Sequence, residues 1–251
     1  MAAIRASAQP SSPSAVRTRF AALHGLAMAE ERLASLAAAL ALPLCGGPDG
    51  PEPQMALLDG PAGAGPNEVW LRPFAAWIEP EADDGNGPAL ATLAGRAEAA
   101  DLYVNLTTAT ANALPLAGRV LTAVTARRPL PAERRDDLEL ALHEALSNAL
   151  VHGNLQIHGM KEPSAAELER FSRDLVERLG DPALAHRRLE VAVLLEPQET
   201  VIEVADEGDG FLPVPPKNHG ASGRGLTLIA TLAESVELQD GGRRIRMRFP
   251  L

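Results

Sequence analysis

Aromatic side chains are scarce in this chain: two Trp, one Tyr and five Phe among 251 residues. Its core must therefore be built mainly from Leu, Val and Ala. Cysteine is rarer still. The single thiol, Cys45, excludes an intrachain disulfide and any cysteine-based zinc cluster, and it suits the reducing cytoplasm. Basic residues are outnumbered, 23 against 33 acidic ones, for a formal charge of −10. That deficit argues against direct nucleic-acid binding and against an anionic membrane as partner, while leaving room for a local basic pocket. Long apolar runs are also missing. Residues 33–44, LASLAAALALPL, are too few to span a bilayer as a helix. The run follows directly on Glu30, Glu31 and Arg32, an arrangement that a secretory signal does not use, and it reads as a buried helix.

Apolar residues nevertheless make up 46%, and the length suffices for one large domain or two small ones. Residues 1–14, rich in Ser, Ala and Pro, read as a loose tail. Val16, Phe20, Leu23, Leu26, Leu33, Leu36 and Leu40 recur at roughly three- and four-residue spacing, which predicts a helix over 15–42 ended by Pro43. His24, followed by Gly25, reads as an ordinary, partly exposed histidine of that helix. Residues 43–100 are broken by Pro and Gly. They carry two apolar runs with strand character, 55–58 and 69–78, and an acidic, turn-rich linker, EPEADDGNG (79–87). A change of composition near Asp101 divides the chain into an N-terminal region, 1–100, of unassigned role and a second domain, 101–251.

In the second domain, residues 101–109 alternate as a half-buried strand does, and a helix is expected over 114–127, with Pro115 in its first turn. A central helix begins near Ala132, where Glu133, Asp136 and Asp137 suit the positive end of its dipole. An insertion, 162–187, contains an amphipathic helix (163–180) with Leu168, Phe171, Leu175, Val176 and Leu179 on one side. Strands are expected over 189–195 and 200–205, and a helix over 225–233. A hairpin at 235–249 turns at Asp240-Gly241-Gly242. There is no internal repeat.

Three segments carry candidate chemistry. On the central helix, LELALHEALSNALVHGN (138–154), Leu138, Leu142, Ala145, Leu146 and Ala149 form an apolar stripe. Glu144 and Asn148 lie about 40° apart on the adjoining face. A carboxylate beside an amide oxygen suits Mg²⁺, and the same spacing also suits a solvated polar face. VADEGDGF (204–211) follows a strand. There Asp206 can accept from an exocyclic amine, while Gly208 and Gly210 permit close approach of a planar ring or a plain turn. GASGRG (220–225) opens a helix, so its backbone N–H groups and Arg224 can receive phosphate.

E-x-x-x-N, D-x-G-x-G and G-x-G-L, in this order, resemble the GHKL (Bergerat-fold) ATPases. The wording HEALSNALVHGN, VADEGDGF and GRGLTLI is most similar to the anti-sigma-factor serine kinases. The resemblance covers 101–251. It implies an α/β, two-layer domain, with helices on one face of a mixed, mainly antiparallel sheet and ATP held under a lid. It also implies roles: Glu144 as catalytic base, Asn148 as Mg²⁺ ligand, and Asp206 with Gly208 and Gly210 at the adenine. Gly223, Arg224, Gly225 and Leu226 would form the phosphate loop and helix start, and His152 would stand at the pocket edge. The function implied is a cytoplasmic serine/threonine protein kinase acting on a small antagonist while holding a sigma factor, with a homodimer as its ordinary assembly. A non-catalytic ATP-binding docking module, or a histidine-kinase-type catalytic domain paired with a response-regulator pathway protein, are the alternatives. The short, proline-bearing lid (Pro213, Pro215, Pro216) departs from the histidine kinases, and the 162–187 insertion and residues 1–100 depart from the compact serine kinases.

Overall fold

The computed structural model describes residues 18–45, 47, 49–64, 67–81, 88–159, 164–210 and 224–251. The expected loose tail, most of the acidic linker and the expected lid lie outside these residues. In chain order the elements are β1 (Ala22–Leu26), α1 (Glu30–Leu40), β2 (Gln54–Leu58), β3 (Phe74–Ile78), α2 (Pro88–Ala97) and β4 (Leu102–Thr107). Then come α3 (Thr108–Asn112), α4 (Leu116–Thr125) and α5 (Ala132–Ser147), which continues into a π-helical segment, Asn148–Asn154. α6 (Ala165–Leu179), α7 (Pro182–Ala185), β5 (Arg188–Leu195), β6 (Glu199–Ala205), α8 (Arg224–Leu232), β7 (Ser235–Gln239) and β8 (Arg244–Pro250) complete the chain.

All eight strands join one sheet in the order β1-β2-β3-β4-β5-β6-β8-β7. The three pairings from β1 to β4 are parallel and the four from β4 onward are antiparallel. The sheet is thus mixed and mainly antiparallel, as the resemblance implies. Helices lie on one face along β5–β8, where Val191, Val193, Ile202, Val204, Ile245 and Met247 pack with α5 and α8. Along β1–β4 they lie on both. Met55, Leu57, Ile78 and Tyr103 join α1 and α2 on one side, while Ala56, Leu58, Trp77 and Val104 join α4 and α5 on the other. Strands connected through helices in parallel are covered on both faces, so β2 and β3 are apolar at nearly every position instead of alternating.

The composition change near Asp101 falls at the start of β4, within this continuous sheet, because β3 and β4 pair across it. The open face of the antiparallel half is tied to the parallel half by charge. Glu190 of β5 receives Arg96 of α2 at 2.9 Å, Arg244 of β8 at 2.9 Å and the Tyr103 hydroxyl of β4 at 2.6 Å. Burial alone would raise the Glu190 carboxyl, but these three donors outweigh it and hold the group below its ordinary range.

The predicted helix over 15–42 is corrected over its described part: β1 occupies Ala22–Leu26, and the helix begins only at Glu30. Leu23 packs on the α1/α2 side and Leu26 on the opposite side, which a strand end allows and a helical stripe does not. His24 is accordingly a strand residue, with Nδ1 2.9 Å from the Cys45 carbonyl. Residues 33–44 are not a buried helix either, since α1 ends at Leu40 and buries only Leu36 and Ala37. In the 69–78 run, Phe74–Ile78 is strand, while Glu68–Trp70 forms a 3-10 turn whose Trp70 stacks on Trp77 at 4.8 Å. The insertion helix α6 starts at a Ser164 cap, whose hydroxyl accepts from Glu167 N at 3.2 Å. It lays Phe171, Leu175 and Leu179 on Leu155, Ile157 and Leu184, leaving Leu168 and Val176 exposed.

Candidate functional site

The described parts of the three motif segments meet at one end of the sheet. α5 is long and apolar on the side facing β5 and β6, so burial of Leu138, Ala141, Leu142, Ala145 and Leu146 fixes its rotation. That rotation places Glu144 and Asn148 half-buried at the core's rim, next to α8. The backbone of Gly225 is seated directly on them. A methyl group there would overlap the Glu144 carboxylate and come within 3.1 Å of Asn148 Nδ2. A glycine lets the start of α8 approach this pair without displacing the Glu144 carboxylate.

The end of the helix delivers the second junction. In the π-helical segment, Gly153 packs on the Asp206 carboxylate, and Gly208 packs on the Gly153 carbonyl. Neither position has room for a Cβ. Gly208 N donates to Asp206 Oδ1 at 2.8 Å, and Asp206 N donates to the Arg243 carbonyl at 2.9 Å. Burial dominates the Asp206 carboxyl and pushes it up to about 6, against the Gly208 bond and the positive fields of Arg243 and Arg187, which act to lower it. Gly210, at φ +82°, closes on the Gly241 carbonyl in the β7–β8 turn.

Two side chains outside the expected set organise this end. Asn154 is fully buried. Its amide donates to Thr108 Oγ1 at 2.8 Å and to the Arg188 carbonyl at 3.0 Å, and its oxygen accepts from Glu207 N at 2.8 Å. It therefore clamps the helix end to β5, α3 and the Asp206 turn. Thr108 in turn donates to the Arg187 carbonyl at 2.8 Å. The only sequence signal was the trailing Gly-Asn of the first motif.

Of the expected residues, Glu144, Asn148 and Gly225 converge on one junction, and Asp206 and Gly208 on the next. His152 points away. It is exposed, with Nδ1 2.7 Å from the Ile157 carbonyl, a contact that needs the Nδ1–H tautomer and folds the 152–157 turn. Leu226 packs against the core under α8. Gly223 and the side chain of Arg224 lie outside the described residues.

A mixed sheet backed by helices, with a helix rim, a strand-end turn and a second helix start converging at one end, defines a nucleotide-binding type of domain. The model for the histidine kinase-like ATPase domain matches residues 107–249, more than half of the chain, and the chain belongs to this GHKL-type family. No curated protein matches it. Membership implies ATP binding, generally with Mg²⁺. The donors present fit such a ligand. Asp206 offers a half-buried carboxylate at the strand end, and Asn148 brings its side-chain amide, Nδ2 foremost, against the N-terminus of α8. Among the described residues no three His, Cys, Asp or Glu side chains cluster as a metal cage, and none of the helices is long and apolar enough to cross a membrane.

Proposed function

We propose that the chain is an ATP-dependent signalling regulator that transfers phosphate to a serine or threonine hydroxyl of a small antagonist protein, with a sigma factor as the partner it controls. The observation that carries this reading is the seat of Gly225 on Glu144 and Asn148, which brings a carboxylate, a side-chain amide and a helix N-terminus together. Asp206 would accept from the adenine amine, and Asn148 would hold Mg²⁺ together with phosphate oxygens and water. Bound Mg-ATP would supply the γ-phosphoryl group, and its Mg²⁺ would offset part of the charge on the phosphate oxygens. Glu144 would take the proton of the attacking hydroxyl as its oxygen bonds to phosphorus. The bond to the β-phosphate oxygen then breaks and ADP leaves.

Calorimetric titration of ATP with and without Mg²⁺, in wild type and Asn148→Ala, tests the site. Mg²⁺-dependent binding that is lost in the variant is expected. Transfer of labelled phosphate to a candidate antagonist should then disappear in Glu144→Ala, and undiminished transfer would remove Glu144 from the base role. One observation favours a second reading, a docking module that holds ATP without using it. α6 buries none of its residues fully and exposes Leu168 and Val176, at 56% and 73%, beside the helix end that carries Asn154. Tight ATP binding without turnover, combined with nucleotide-dependent partner affinity that Val176→Asp abolishes, would select that reading.

A further inference from the structure

The opposite end of the sheet holds a cavity of about 350 Å³ that shares no residue with the junctions above. It lies where β1–β4 begin and where β5 ends. Its position is therefore about 20 Å from Asp206, since β6 spans the sheet between Glu199 and Ala205 at about 3.3 Å per residue. Four arginines from three parts of the chain line it. Arg19 precedes β1, Arg72 precedes β3, and Arg127 and Arg128 follow α4. They face two carboxylates, Glu52 and Asp101. Four positive groups against two negative ones leave an excess of two positive charges, in a chain whose formal charge is −10.

Backbone carbonyls, with one hydroxyl, hold most of these guanidiniums in place. Arg127 donates to the carbonyls of Ala123 at 3.1 Å and of Phe74, while Arg128 donates to the Glu199 carbonyl at 2.7 Å and more weakly to Thr200 Oγ1. Arg19 donates to the Ala97 carbonyl at 3.1 Å, and its Nε is buried with no acceptor. Among the described residues none of these three forms an ion pair; only Arg72 does, with Glu52 at 3.2 Å. Burial, and next to it the repulsion of Arg72, pulls the Arg127 guanidinium down to about 10. Arginines at a helix end commonly cap its carbonyls, and the Ala123 contact does so. Capping does not explain why Arg19 and Arg72 arrive from two strand starts at the same place.

We propose that this cavity binds the phosphate group of a small phosphate monoester. The excess of two charges matches a phosphate dianion, and guanidiniums held through one or two nitrogens keep further N–H groups for it. The apolar Ala75 and Leu195 in the lining would meet the ester's carbon skeleton. A cavity of this size takes a small metabolite rather than a polymer.

The test titrates inorganic phosphate, then glycerol 3-phosphate, into the full chain at constant ionic strength, followed by calorimetry. Saturable binding with a Kd below about 1 mM is expected. Arg19→Gln and Arg127→Gln should each weaken it at least about tenfold, the expected loss of a charged partner. If Arg127→Gln fails to fold, Arg72→Gln, more than half exposed, keeps the comparison and should show the same direction. Asn148→Ala should leave the affinity unchanged. The proposal is overturned by no phosphate binding at about 10 mM, by binding indifferent to the arginines, by equal loss in Asn148→Ala, or by failure of glycerol 3-phosphate to displace phosphate.

Discussion

β2 and β3 are buried at every residue, whereas β8 alternates buried and half-buried positions along its whole length. Both belong to the same sheet, so the contrast reports what covers each part of it. The parallel half sits between α1 and α2 on one side and α4 and α5 on the other, and it encloses both tryptophans. The antiparallel half is covered once and keeps its other face for the Glu190–Arg244–Glu203 charge array. The converging motif residues stand at the end of the singly covered half. The arginine cavity lies at the far end, where the doubly covered half begins. The better buried half thus supports a half whose own outer face is built from ions.

The most drastic way to break this comparison is to remove one side of it. A fragment of residues 101–251 exposes β4 as an apolar edge and uncovers Tyr103, and it is expected to aggregate or to lose cooperative thermal unfolding. In the full chain, tryptophan fluorescence reads only Trp70 and Trp77 in the parallel half, while circular dichroism reads both. Their denaturation curves should coincide, and separated midpoints would show two independent units.

Next in size is the charge array. Glu190→Gln weakens the bonds to Arg96 and Arg244, and because Arg96 is more than half exposed and Arg244 keeps Glu203 and Asp240 it should cost about 1–2 kcal/mol at pH 7, measured by urea denaturation. The Glu190 carboxyl is held below its ordinary range. Its contribution is therefore present above about pH 4 and disappears as pH falls through the lowered value, so the two proteins should converge in acid.

Gly225→Ala puts a methyl group onto Glu144 and should lower ATP affinity at least about tenfold, with a change in melting temperature of only a few degrees. Equal affinity would separate the start of α8 from the nucleotide.

The smallest effect is expected at Asp206, and it has the opposite sign. Its carboxyl is raised to about 6, so the charged form weighs on the fold as pH rises from about 4 through 6. Asp206→Asn should melt slightly higher than wild type at pH 8 and the same at pH 4, while losing ATP binding.

How far the sequence could be read follows the same division. β5, β6 and the β7–β8 hairpin show alternation because one face meets water, and the three motifs stood out because polar and glycine residues interrupt apolar surroundings. β1 reads as helix in the sequence because a five-residue strand covered on both sides has no period of its own, and neighbouring leucines lend it theirs. The sharing of one sheet across residue 100 left no local mark, since strand pairing between distant segments has none. Glu144, Asn148 and Asp206 were legible as chemistry. Asn154 was not, because a buried amide that bonds main-chain groups looks in sequence like any loop asparagine.

The π-helical segment also fixes a length. Its wider turn holds one more residue than an α-helical turn would, and the extra residue carries Gly153 and Asn154 to the strand end. Deleting any one residue between Glu144 and Gly153 would swing both through about 100° and draw them back by about 1.5 Å relative to Glu144. The stretch 144–154 therefore acts as a ruler. Within it the number of residues is a constraint of its own, separate from their identity.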